Sequence, residues 1–346
     1  MNDKNWQEHM TTTRNYRSGL HITVTPPQKI DNTFGPAHCK KTIRASPTIQ
    51  ISSHADMTII PTALLQQLPK ESLKELEQAN IITSLHLDKE KTGCATLDYT
   101  GTSTPISELL VITAATKSAL RLTITRTIDT PTYIEHCFVI AEQDAQVHLT
   151  IIDEHSAHTS IIAHRHSYHK DRAHVSWTQA TTGSVYAKIN MHSELAGTHS
   201  STVQTIGYLA QRNKYDLATS VRHQGSDSRS LLRTRGICQE HAQALSKGHI
   251  AIDDTAKGAC GQEHHDALIT SNTAEADAIP TLDVRHHEVR CTHSSSISTL
   301  HREDIYYLMS RGLSEKKARQ ALEKGFLQPL FTTAAPAFIK ALGGTL

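Results

Sequence analysis

Short runs of alternating apolar and polar residues fill the chain from about residue 105 onward. In the stretch 118–129, Leu120, Leu122 and Ile124 alternate with polar residues, which is the period-2 pattern of a half-buried strand. Similar runs follow at roughly 8–14-residue spacing, which is typical of sandwiches, barrels and solenoids. They are AQVHLTII, AHVSWTQ, SVYAKINMH, DLATSV, HIAI and TLDV.

A loose internal recurrence favours the solenoid among these three architectures. A polar turn, an alanine and an alternating run follow one another in EQDAQVHL and again in HKDRAHVSW. A turn-and-strand unit that recurs along the chain is typical of proteins whose turns stack on one another. The sequence therefore predicts a mainly β fold with a β-solenoid core, although the period of the recurrence drifts.

The two ends of the chain differ from this core. Residues 1–104 are turn-rich and irregular, and one helix is predicted within them, from Pro69 to Asn80. Near the other end, REDIYYLMSR predicts a helix that stops at Gly312, and a second helix is predicted from Ser314 to Gly325. The predicted organisation is an irregular lead-in at 1–104, a β core at 105–298 and a helical domain at 299–346.

Composition and charge narrow the class of protein. The 346 residues are 38% hydrophobic and 20% charged, which suits a soluble folded chain. The net charge of +1 predicts no binding to nucleic acid, and no run approaches the roughly 20 apolar residues of a membrane helix. The start MNDKNWQEHM lacks a secretory signal, and the six cysteines form no C-x-x-C pair. We therefore expect reduced thiols and a cytoplasmic location.

The common enzyme motifs are missing from the sequence. It has no phosphate-binding loop, no G-x-G-x-x-G after a strand, no H-E-x-x-H and no G-x-S-x-G. The terminal helices are similar to a helix-turn-helix, but the neutral charge argues against DNA binding. We expect a non-catalytic protein. The alternative is a β-helix enzyme acting on a polysaccharide or similar extended ligand, which the 2 tryptophans and 9 tyrosines disfavour.

The clearest candidate chemistry lies near the end of the β region. Cys291 and His293 are two positions apart on a predicted strand, so their side chains project to one side, roughly 6–7 Å apart. A thiolate and an imidazole can hold zinc or iron–sulfur species, but two ligands do not complete a four-coordinate site. The alternative interpretation is a buried thiol beside a surface histidine. The neighbouring His286 and His287 are less suitably placed.

The 24 histidines are the unusual feature of the composition. Two further groups of them stand out: His164 with His166, and His264 and His265 a few residues after Cys260. So many histidines cannot all be ligands, and we interpret both groups as polar surface decoration.

The segment 274–322 resembles the C-terminal region of the SufB/SufD family of iron–sulfur cluster assembly proteins. The resemblance rests on an acidic segment at Ala274–Asp277, P-x-L-x-V at Pro280–Val284, C-T-H at Cys291–His293 and S-R-G-L at Ser310–Leu313. The C-T-H sequence at Cys291–His293 is similar to that of SufD proteins, because SufB proteins would be expected to have E-H-E-A at these positions.

The resemblance implies a right-handed parallel β-helix with a small C-terminal α-helical domain and no catalysis of its own. It also implies pairing with a SufB-like subunit through the end of the β-helix, and binding of a SufC-like ATPase through the terminal helices. A transient iron–sulfur cluster would form at the subunit junction, with Cys291 and His293 as its metal site on this chain and the other ligands on the partner. Self-pairing as a homodimer and a flavin in the complex are left open. The expected partner-binding residues are Ile305, Tyr306, Leu308, Leu313, Phe326, Leu330 and Phe331.

Three features depart from the family pattern. Ser294 stands where SufD proteins commonly have glycine, and the N-terminal region is short. His264 and His265 lie near the position where SufB carries a cysteine, and the resemblance does not explain them.

Overall fold

The computed structural model describes residues 40–52, 79, 81–102 and 104–330. Within them, eighteen strands are followed by two helices and a short 3-10 turn. The strands are β1 (Lys40–Ala45), β2 (Ile49–Ser52), β3 (Ile81–Leu87), β4 (Thr92–Thr102), β5 (Ile106–Ala114), β6 (Ala119–Asp129), β7 (Thr132–Ala141), β8 (Gln146–Glu154), β9 (Ser160–His169), β10 (His174–Thr182), β11 (Tyr186–Leu195), β12 (Ser201–Ala210), β13 (Lys214–His223), β14 (Arg229–Cys238), β15 (Gln243–Ile252), β16 (Cys260–Ile269), β17 (Glu275–Val284) and β18 (Arg290–Thr299).

From β3 onward, successive strands belong alternately to two sheets, which makes the fold a solenoid. The first sheet contains β1 and the even-numbered strands from β4 to β18, and the second contains β2 and the odd-numbered strands from β3 to β17. Only β1 and β2 pair antiparallel to their neighbours in the described residues. Residues paired in the parallel ladders lie 26 to 32 positions apart, which explains why the sequence recurrence drifts. The predicted β-solenoid is confirmed.

Alternate side chains of each strand point into the space between the sheets and form the core. Leu120, Leu122 and Ile124 are buried there, as their alternation predicts. They belong to one apolar cluster with Leu149 and Trp177 from the next turns of the first sheet. Because each turn covers the apolar face of its neighbour, the core runs along the solenoid.

One corner of five successive turns has the same backbone shape. A residue with φ between 55° and 59° is followed there by a small, buried residue. The N–H of Asp144 donates to the carbonyl of Asp171 (2.9 Å), and the N–H of Arg172 donates to that of Thr198 (2.8 Å), so the corners stack. The alanine that recurs in the sequence is this small inner residue. The five pairs are Lys117–Ser118, Asp144–Ala145, Arg172–Ala173, His199–Ser200 and Asp227–Ser228.

A network of charged side chains is buried inside the first half of the solenoid. The guanidinium of Arg126 lies 2.8 Å from Glu135, 3.1 Å from Asp153 and 3.4 Å from Glu108. Arg165 lies 2.6 Å from Glu135. Burial alone would raise the pKa of Asp153, but Arg126, His155 and Arg165 together outweigh it and hold that pKa well below its ordinary range. Asp153 therefore remains charged and depends on the cations that contact it, Arg126 and Arg165.

The strands begin earlier than the sequence predicts. β1 to β4 lie within the predicted irregular lead-in, and β3 and β4 already pair in parallel with β5 and β6. Ala95, Leu97 and Tyr99 alternate and are buried, so the period-2 signal of β4 was present but masked by the surrounding turn residues. The helix predicted from Pro69 to Asn80 lies outside the described residues. The division into three domains stays a prediction.

Two helices, α1 (Arg302–Ser310) and α2 (Glu315–Leu327), and a 3-10 turn (Gln328–Leu330) follow β18. The predicted stop at Gly312 is confirmed: its φ is 95°, its N–H donates to Met309 O (2.9 Å), and the next N–H donates to Leu308 O (3.3 Å). The predicted stop of α2 at Gly325 is wrong. The helix continues because Leu327, with Phe326 beside it, packs against apolar residues of the first sheet. No helix among the described residues is long and apolar enough to cross a membrane.

Candidate metal centre at the open end of the solenoid

The last turn, formed by β17 and β18, is open on one side. In the part of the chain that the structure describes, each of these strands is the last in its sheet and pairs with a single neighbour, β15 or β16. Their side chains are exposed or half-buried, and Val284 and Ile297 are each 44% exposed. Unpaired backbone groups beside exposed apolar side chains make this end suitable for contact with another chain.

Cys291 and His293 lie on β18 and face the interior of this open turn. In the ladder with β16, Cys291 pairs with Gly261, and His293 pairs with Glu263, whose side chain is fully buried. Cys291 is half-buried against an apolar cluster that includes Leu232, whereas His293 is exposed. The two residues therefore share a face, at the end of the solenoid rather than deep within it.

The preceding turn adds two buried polar residues that the sequence interpretation missed. Glu263 and His265 point inward from β16 and are hydrogen-bonded to each other. The second carboxylate oxygen of Glu263 and Nδ1 of His265 are buried and have no hydrogen-bond partner in the described part of the chain. Buried polar atoms without partners are uncommon in folded proteins, so these two atoms call for a functional explanation.

Gly248 of β15 provides the space for this pair. A Cβ atom at Gly248 would overlap Oε1 of Glu263 and lie 2.6 Å from Nε2 of His265. A larger residue would therefore displace the pair. The alternation within β16 was the available sequence signal, since it separates Glu263 and His265 from the intervening His264.

The thiol of Cys291 is not activated in the isolated chain. Burial, and then the nearby charges of Glu263 and Cys260, raise the pKa of Cys291 to about 11. The thiol is therefore protonated near neutral pH. Since a metal ion displaces the proton of a coordinating thiol, formation of the thiolate here would accompany metal capture.

The ligand set on this chain is incomplete. Among the described residues, no three His, Cys, Asp or Glu side chains are arranged to hold a metal ion. Glu263, His265, Cys291 and His293 lie on two neighbouring strands, yet their ligand atoms do not converge on one point. Further ligands or a rearrangement would be needed to complete a site.

The other histidines near the site point elsewhere. His264 faces outward from β16, and its Nδ1 lies 2.7 Å from the hydroxyl of Ser294. His286 and His287 stack on each other with ring centroids 4.9 Å apart, in the turn before β18. Interpreting both His264 and His265 as surface decoration is therefore wrong for His265.

His164 and His166 lie on the outer face of the second sheet, away from Cys291. Both are buried, so the interpretation of these two as surface residues is wrong as well. Burial, with the histidines around them, holds the pKa values of both well below the ordinary value. His164 stacks on His136 with ring centroids 5.2 Å apart.

The residues predicted to bind a partner on the terminal helices differ in exposure. Ile305 is buried, Leu308 and Leu313 are half-buried, and Tyr306 is 74% exposed. Phe326 and Leu330 are half-buried and pack against the first sheet, and Phe331 lies outside the described residues. Among the described residues of this region, the large exposed apolar side chains are thus on α1.

Comparison with known proteins identifies the family. The model of the SUF system FeS cluster assembly SufBD core domain matches residues 99–326, from β4 through most of α2. The chain belongs to this family. The resemblance to the SufB/SufD family, which the C-terminal motifs carry, is therefore confirmed.

Two relatives agree with this assignment. An iron-sulfur cluster assembly SufBD family protein of Pyrococcus horikoshii is 28% identical over 236 residues, which is 59% of this chain and 52% of that protein. One from Staphylococcus aureus is 24% identical over 199 residues, 57% of this chain and 43% of that protein. The chain thus spans about half the length of the curated relatives it matches.

Proposed function

We propose that this chain is a non-catalytic scaffold subunit, closest to SufD, of a cytoplasmic SUF-type assembly complex. The observation that carries the proposal is the open last turn, in which Cys291 and His293 face inward beside the buried pair of Glu263 and His265. The cluster is the cargo of this site, assembled at the junction with a SufB-like subunit and then passed on.

The incomplete ligand set supports a shared site. Thiolate and imidazole are both ligands of iron in iron–sulfur clusters, and each iron is coordinated by several sulfur or nitrogen atoms. Cys291 and His293 supply two such groups, and the partner supplies the rest. Glu263 and His265 form the floor of the site, where a carboxylate oxygen and an imidazole nitrogen lack partners in the described chain.

The open edges of both sheets support pairing through this end. Among the described strands, none lies beside the outer edge of β17 or of β18, so a partner can continue both sheets. Ile297 faces inward and is 44% exposed, so a stacked partner turn would bury it.

Helix α1 is the surface that we assign to a SufC-like ATPase. Ile305 anchors the helix, while Tyr306 and Tyr307 are 74% and 57% exposed and Met309 is 41% exposed. Three large exposed side chains on nine residues of helix form an apolar patch of the kind that protein partners cover. Phe326 and Leu330 support the fold of this region, since they pack on the first sheet.

Co-purification with a SufB-like subunit tests the pairing surface. Ile297→Glu places a charge inside the junction and should abolish co-purification, because the charge would be buried without a partner. Ser296→Glu is the matched control, since Ser296 is exposed on the outward face of the same strand. If Ile297→Glu retains the subunit, the junction lies elsewhere. If it instead splits a dimer of the isolated chain, the open end pairs two copies.

A further inference from the structure

A cavity of about 340 Å³ lies between the outer face of the first sheet and the 3-10 turn after α2. Its lining includes Arg233 and Arg235 from β14, His264 and Asp266 from β16, and Pro329 and Leu330 from the 3-10 turn. The volume is within the range of small-molecule sites. Because the cavity is on the outer face, it is separate from the inward-facing site of Cys291 and His293.

The two arginines of this cavity have different surroundings. Arg235 lies 2.6 Å and 3.1 Å from a carboxylate oxygen of Asp266 and donates to the carbonyl of Phe326 (3.2 Å). It therefore neutralises Asp266 and fixes the end of α2. Arg233 is exposed and makes no hydrogen bond or ion pair with the part of the chain that the structure describes. Among the described residues, no carboxylate therefore balances the positive charge of Arg233.

His264 stands directly beside Arg233. The two residues are paired in the ladder between β14 and β16, so their side chains leave neighbouring strands at the same level. Nδ1 of His264 lies 2.7 Å from the hydroxyl of Ser294, which holds the ring and leaves Nε2 for a ligand. His264 and Ser294 both depart from the family pattern, and here they contact each other.

We propose that this cavity binds a small molecule that carries a phosphate group. A guanidinium offers paired N–H donors that match phosphate oxygens, and an imidazole adds a further donor. The phosphate lies between Arg233 and His264, and the remainder of the molecule packs against Pro329 and Leu330. The cavity is large enough for both the phosphate and the rest of the molecule, because its volume is several times the roughly 30 Å³ that one water molecule occupies in the liquid.

Calorimetric titration of the full chain with inorganic phosphate and with phenyl phosphate tests the proposal. Phenyl phosphate should bind saturably with a Kd below about 1 mM, and more tightly than inorganic phosphate because its ring contacts the apolar wall. Arg233→Gln should weaken binding about tenfold, which is roughly 1.4 kcal/mol and corresponds to one charge-assisted contact. Arg229→Gln is the control, since Arg229 is exposed on the same strand and outside the cavity.

The melting temperatures of both variants should equal that of the unmodified chain, because both arginines are exposed. Equal affinity for the two probes would overturn the small-molecule assignment and leave a simple ion site. The absence of saturable binding, or equal weakening by the two substitutions, would overturn the site itself.

Discussion

Glu263 and His265 share a buried hydrogen bond on β16, the strand that pairs with β18, which carries Cys291 and His293. Burial raises the pKa of Cys291, and the nearby charge of Glu263 raises it further, so that it reaches about 11. Burial and the neighbouring carboxylate therefore act together to keep this thiol protonated in the isolated chain.

Glu263→Gln should lower the pKa of Cys291, because it removes a negative charge that disfavours the thiolate. The rate of alkylation of Cys291, followed by peptide mass spectrometry over a range of pH, should then rise at lower pH than in the unmodified chain. Glu275→Gln serves as the control, since Glu275 is exposed at the start of β17. Identical alkylation profiles for all three proteins would show that Glu263 does not act on the thiol.

Arg126→Met should destabilise the fold by about 3–5 kcal/mol, because it removes one of the two buried guanidiniums that balance the buried carboxylates. Urea unfolding measures this change as a lower midpoint. Arg121→Met is matched to it, being on the same strand but outward and exposed, and should change stability by less than about 0.5 kcal/mol. A similar midpoint for the two variants would mean that the buried network does not depend on Arg126.

Mild acid should destabilise the protein through its buried histidines. Burial lowers the pKa of His223 to about 4, whereas the unfolded chain binds the proton at about 6.5. The contribution of His223 is therefore complete above about pH 6.5 and is lost as the pH falls from there towards about 4. The free energy of unfolding should decrease by about 1.4 kcal/mol per pH unit for this one group.

His223→Gln should reduce the slope of the free energy of unfolding against pH by the equivalent of about one bound proton. Urea unfolding between about pH 7 and pH 5 measures this slope. His158→Gln replaces an exposed histidine and should leave the slope unchanged. If the slope is the same in both variants, His223 takes up its proton in the folded state as easily as in the unfolded one.

The exposed face of α1 should be necessary for binding the ATPase. Replacing Tyr306 and Tyr307 together by alanine removes two exposed rings without touching the buried Ile305, so the fold should remain intact. Co-purification with a SufC-like ATPase should be lost, whereas alanine at Lys316 and Lys317, exposed on α2, should preserve it. Retention of the ATPase by the double tyrosine variant would place its docking surface elsewhere.

Local patterns account for much of what the sequence predicts correctly. The alternation of Leu120, Leu122 and Ile124 predicted a strand, and Gly312 predicted the end of α1, because each signal lies within a few residues. Helix α2 passes Gly325 because tertiary packing of Leu327 outweighs the local preference of glycine.

Local sequence patterns did not predict the contacts between successive turns of the solenoid. Glu263 is paired with His293, thirty positions later in the sequence. The sequence separation between paired residues ranges from 26 to 32 along the chain. No fixed period could therefore place the pair of Glu263 and His265 beside Cys291. The same holds for His264 and Ser294, whose contact depends on that register.

Cluster reconstitution on the complex with a SufB-like subunit and a SufC-like ATPase tests the central claim most directly. Cys291→Ser and His293→Ala should change the stability of this chain by less than about 1 kcal/mol, because His293 is exposed and Cys291 is only half-buried. They should reduce the iron–sulfur absorbance of the reconstituted complex. His286→Ala and His287→Ala should leave that absorbance unchanged, because these residues are close in sequence but lie in the loop between β17 and β18. If the two pairs of variants assemble clusters equally well, Cys291 and His293 do not form the cluster site.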